Sequence, residues 1–161
     1  MFGSSPIGFV HALLSLLAVG LGVFALLRDG MISSNERLGQ YYLVVIILAT
    51  MMSFGIFRDH HLSLLHVAAA LVLLVLLVSA VIGKSLLLGA KSVYVEVIGY
   101  SVSLLIAMMV GVAELATRLP VSAPWMTRAD APLLLGLDAV LVLLFSACAV
   151  GQIRMLYHRG I

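Results

Sequence analysis

Long apolar stretches alternate with short polar breaks along the whole chain. A helix needs about 20 mostly apolar residues to cross a bilayer, where lipid offers backbone amides no partner outside the helix itself. Five stretches meet that condition, at residues 7–27, 38–57, 62–82, 93–119 and 133–157. The pattern predicts an all-α protein, a five-helix transmembrane bundle with short loops. These helices use most of residues 1–161, so a single transmembrane domain is expected, without a soluble catalytic module.

Polar and small residues inside the runs show which helix faces meet protein. In the first run His11, Ser15, Ala18, Gly22 and Ala25 recur every three or four residues and form one stripe, expected to face the bundle. Arg28-Asp29-Gly30 supplies the charge and glycine that favour a helix end. In the fourth run Gly99, Ser103, Ala107 and Gly111 form a small-residue ridge suited to close helix packing. Asp130 and Pro132 predict a cap and first turn for the fifth helix. The adjacent Met51 and Met52 suit irregular packing better than binding of a soft metal. The first run resembles a signal peptide in position, but no Lys or Arg precedes it and it is longer than an ordinary signal core, so a retained helix is expected.

Composition agrees with the pattern: 63% of the 161 residues are hydrophobic and 10% are charged, with a mean hydropathy of +1.23. A soluble domain is roughly a quarter charged. Lys and Arg are unevenly divided between the loops. Arg58, Arg118 and Arg128 fall on one side, and Arg28, Arg37, Lys84, Lys91, Arg154 and Arg159 on the other. The positive-inside rule then places the N-terminus outside and the C-terminus in the cytoplasm, as expected for a bacterial inner membrane protein. Trp125 falls at the outer interface, and Tyr41, Tyr42, Tyr94 and Tyr157 near the inner one. The net charge of +2 follows from this asymmetry and gives no reason to expect nucleic acid. The single Cys148, inside the fifth run, excludes an internal disulfide and Cys-rich clusters.

Candidate chemistry emerges when depths are compared. His11 and His66 lie four residues inside their helices, and Glu114 and Asp138 five residues from the same outer boundary. At 1.5 Å per residue, all four sit roughly 6–8 Å deep. Ionisable groups at such depth require partners or water. Three readings follow: a structural polar network, a bound haem b or transition metal held by the imidazoles, and a proton or quinone path. His60 and His61 would extend a functional site outward, or simply remain solvated. His158 fits a basic interfacial tail.

The early histidine His11, the segment Glu36-Arg37-Leu38-Gly39-Gln40-Tyr41-Tyr42, then Ser53-Phe54 and Ser63-Leu64-Leu65-His66 resemble the bacterial membrane family called domain of unknown function 2306. The resemblance covers the first three helices. It implies a short multi-helix module with histidines in the first helix, at the start of the second and at the opening of the third. His11 and His66 match the first and last of these, whereas Glu36 stands where the loop histidine is expected.

The absence of a nucleophile motif leans away from an enzyme. The expected function is that of an accessory or structural subunit of a larger bioenergetic or redox membrane complex. Partners would be the bilayer and other subunits, or a second copy. A stand-alone haem- or metal-binding redox protein is the alternative, and a proton or quinone pathway protein the second.

Overall fold

A computed structural model describes residues 6–55, 64–85, 88–118, 122–126 and 131–160. Its helices are α1 (Pro6–Asp29), α2 (Arg37–Ser53), α3 (Leu64–Ser85), α4 (Ser92–Arg118) and α5 (Pro132–His158), with a 3₁₀ turn at Gly89–Lys91 before α4. The fold is all-α, and α1, α3, α4 and α5 are long and apolar enough to cross a membrane.

The shorter α2 has 17 residues, roughly 25 Å of helix. The apolar run predicts a span reaching residue 57, but the helix stops at Ser53. Thr50 and Ser53 turn their hydroxyls back onto the carbonyls of Ile46 and Thr50, each at 2.6 Å. Such local bonds compete with regular helix continuation. The chain then turns at Phe54 and Gly55.

At the other termini the sequence signals act as expected, with one exception. Gly30 follows α1 with φ 74° and donates to the Leu26 carbonyl at 3.1 Å, a left-handed stop that favours glycine. Pro132 occupies the first turn of α5, but the residue at the cap position is Ala131 rather than Asp130. Asp130 itself lies outside the described residues.

Helices α1, α2, α3 and α4 pack in a closed ring, each touching the next and α4 returning to α1. Helix α5 lies outside this ring; among the described helices it packs on α4 alone, with Met155 also lying against Gly30 in the turn after α1. The ring core contains Ala18, Ala25, Ile46, Val72, Leu76 and Leu104, with the rings of Tyr42 and Tyr100. The first-helix stripe accordingly faces protein, since Ala18, Gly22 and Ala25 are all buried. Large apolar side chains such as Leu16, Leu74 and Leu143 instead cover the outside, as a hydrocarbon solvent allows.

Glycines set the spacing within the ring. A methyl at Gly22 would come within 2.8 Å of Leu104 and 3.0 Å of Tyr42, so α1, α2 and α4 meet there. One at Gly99 would overlap the Ser79 hydroxyl, which brings α3 against α4. These contacts also define two ends. The loop end carries the turn after α1, the start of α4 and the close of α5; the histidine end carries the start of α1, the close of α2 and α4, and the start of α5.

Of the tyrosines expected near the inner interface, Tyr42 turns into the ring. Its ring is fully buried while the neighbouring Tyr41 is exposed, because consecutive helical residues point about 100° apart. Tyr157 and Trp125 are exposed near opposite ends of α5 and its preceding segment.

Candidate functional site

At the histidine end, His11 on α1 bonds through Nδ1 to the Ala49 carbonyl of α2 at 2.9 Å. A carbonyl only accepts, so Nδ1 carries the hydrogen and, in the neutral ring, Nε2 carries the lone pair. His66 on α3 is buried, and its ring lies 6.2 Å from that of Phe54, tilted by 54°. Both histidines therefore flank the closing turn of α2. Glu114 and Arg118, one turn apart on α4, form an ion pair with both side chains partly exposed.

Helix register relates these groups in depth. Gly22 opposite Leu104 sets α1 so that His11 stands near the level of Leu115, and Ser79 opposite Gly99 puts His66 near Val112. Gln152 opposite Ser101 brings Asp138 near Leu115 as well.

Laterally, α4 divides them. Ser101 and Ser103 are two residues apart and point about 200° from one another. Ser103 meets Tyr42 of the ring, whereas Ser101 meets Gln152 of α5. Glu114 lies eleven residues beyond Ser103, about three turns, and shares its ring-facing side. Asp138 lies fourteen residues before Gln152, about four turns, and shares the α4-facing side of α5. Thus His11, His66 and Glu114 belong to the ring, while Asp138 approaches α4 from outside. Asp138 Oδ1 is buried there with no hydrogen-bond partner among the described residues. His60 and His61 lie outside the described residues.

Two polar contacts hold α4 at mid-depth. The Tyr42 and Ser103 hydroxyls are 2.8 Å apart, and Ser103 Oγ also donates to the Tyr100 carbonyl at 2.7 Å. With Ser103 using its hydrogen on that carbonyl, Tyr42 is the donor between the hydroxyls. On the opposite side the Gln152 amide donates to Ser101 Oγ at 2.9 Å, the principal polar attachment of α5. The small-residue ridge contributes unequally. Gly99 and Ser103 meet α3 and α2, Ala107 packs against the core, and Gly111 faces open space.

The best-connected buried carboxylate is at the loop end. Glu96 is 5% exposed and accepts at Oε1 from the Ser34 backbone N–H at 3.0 Å and the Ser34 hydroxyl at 2.6 Å. Gly83 of α3 lies against the same side chain, where a methyl would come within 2.7 Å of Oε2. The loop is folded for this contact: Ser33 Oγ accepts from Asn35 N at 3.2 Å, and Gly39 lets the Ser33 carbonyl pass close to α2. In the sequence Glu96 stands near the start of the fourth apolar run. A lone acid in an apolar run signals that a partner exists. It does not single out Ser34, 62 residues earlier.

Among the described residues, no group of three or more His, Cys, Asp or Glu side chains is gathered to hold a metal ion. The ring-side histidine end instead offers a neutral ion pair and one imidazole of defined tautomer. No protein-family model, curated protein or solved structure matches the chain.

Proposed function

We propose that this protein is an accessory subunit of a larger complex in the bacterial inner membrane, with its N-terminus outside and no catalytic reaction of its own. The observation carrying this reading is the position of α5. Among the described helices it packs on α4 alone, and only Leu134, Gln152 and Leu156 of its 27 residues are buried. Its uncovered surface includes Gly136, Ala139, Ala147 and Gly151, small residues that permit close approach by another transmembrane helix. The unequal distribution of Lys and Arg supports the orientation. Extraction from native membranes in mild detergent tests the reading: the chain should migrate with larger proteins at fixed stoichiometry. Recovery solely as a monomer would sink it.

A second reading, a haem b or transition-metal protein, draws on His11. Imidazole ligands commonly donate one ring N–H to a carbonyl, as His11 does to Ala49, which orients the other nitrogen for a ligand. His66 would be its counterpart across the ring. Visible absorption and elemental analysis of the purified protein test this reading. A colourless, metal-free protein would count against it.

A further inference from the structure

Asp138 has a carboxylate oxygen enclosed by protein, yet that atom meets no hydrogen-bond donor among the described residues. The residue as a whole remains partly exposed, so other atoms reach the edge of the α4–α5 contact. In hydrocarbon such a group is strongly disfavoured unless it finds a partner. The described cations do not provide one. Arg118 pairs with Glu114 on the ring-facing side of α4, Arg28 pairs with Asp29 at the loop end, and Arg154 lies near the far end of α5.

The neighbouring surface has room for a side chain of an additional helix. A cleft of about 120 Å³ runs between α4 and α5, lined by Val102, Leu105, Val142, Phe145, Ser146 and Ala149. Val142 is one helical turn from Asp138, so the cleft leads towards the carboxylate. Neither α1 nor α3 packs against α5 to close this flank.

We infer that Asp138 is an intramembrane docking residue, which pairs with a Lys or Arg on a transmembrane helix of another protein lying along the α4–α5 cleft. Charge complementarity identifies this partner. Among the described residues Arg118 is the chain's cation at this level and Glu114 engages it, so the complement to Asp138 is a helix that carries its own Lys or Arg. The inference rests on the subunit reading and specifies the contact through which it operates.

The test uses the full chain in liposomes with single-span polyleucine peptides, identical except for one Lys or Leu at the depth of Asp138. Energy transfer between labels reports association. The Lys peptide should associate about tenfold more tightly than the Leu peptide, within the range of one interhelical polar contact. Asp138→Asn should abolish this preference, and Val142→Trp, which fills the cleft, should weaken association without altering charge. Equal association of the two peptides overturns the inference, as does a preference that persists in Asp138→Asn. In native membranes, an assembly unchanged by Asp138→Asn overturns the inference alone, whereas a lone wild-type monomer overturns the subunit reading with it.

Discussion

Ser34 delivers both its backbone N–H and its hydroxyl to one oxygen of Glu96, at 3.0 and 2.6 Å. The loop between α1 and α2 is thereby fastened to the first turns of α4. Ser34→Ala removes the hydroxyl donor and leaves the backbone donor, with an expected loss of about 1 kcal/mol. Glu96→Ala removes the acceptor for both and should cost more, about 2–3 kcal/mol, because the loop donors lose their partner. Unfolding by denaturant in detergent micelles measures both values. Equal losses would show that the carboxylate does not organise this loop.

Glycines in the ridge should differ sharply in tolerance. Gly99→Ala drives a methyl into Ser79 and should destabilise by about 1–3 kcal/mol, whereas Ser79→Ala in the same chain should restore part of that loss. Gly111→Ala meets open space and should be neutral or stabilising by up to about 1 kcal/mol through helix propensity. Thermal unfolding of the three variants provides the comparison. Equal effects at Gly99 and Gly111 would contradict the different packing of the ridge's two ends.

The attachment of α5 should be separable from the integrity of the ring. Gln152→Leu removes the amide bonded to Ser101, while Ser101 keeps its bond to the Val97 carbonyl at 3.1 Å. Hydrogen exchange should increase in α5 and remain near wild type in α1 to α3. Tyr42→Phe is the ring counterpart. Ser103 retains the Tyr100 carbonyl, so the loss should be about 0.5–1 kcal/mol, in the range of interhelical bonds within membranes. A global rise in exchange from Gln152→Leu would show that α5 is integral to the ring.

His11 can be tested for structural and ligand roles separately. His11→Phe removes the donor to Ala49 and should cost about 1 kcal/mol, with His11→Gln recovering part by supplying another N–H. Any haem or metal absorption dependent on the imidazole would be absent from both variants. Recovery of stability without recovery of absorption identifies ligation, whereas a wild type without absorption leaves the structural bond as the measured role.

Much of the architecture was legible because the bilayer's demands act on local sequence. Apolar run length placed the five helices to within a few residues, and Gly30 marked the stop of α1 because its positive φ favours a residue without a side chain. The closing turn of α2 was not legible: Thr50 and Ser53 sit in an otherwise apolar run, and their bonds to local carbonyls appear only in the folded backbone.

For the candidate site, sequence spacing indicated depth, because rise per residue is nearly constant along a helix. It did not determine which helices face one another. That depends on side-chain packing between segments far apart in the chain: Gly99 receives Ser79, Ser103 meets Tyr42, and Gln152 reaches Ser101. Those contacts turn Glu114 to the ring side of α4 and leave Asp138 against its other side, and they bring Ser34 to Glu96. The apolar pattern alone determined an all-helical chain with membrane-spanning capacity. Tertiary packing decided that His66 is buried beside Phe54 in the ring, that Asp138 lies outside it under α5, and that the two belong to different faces of the same fold.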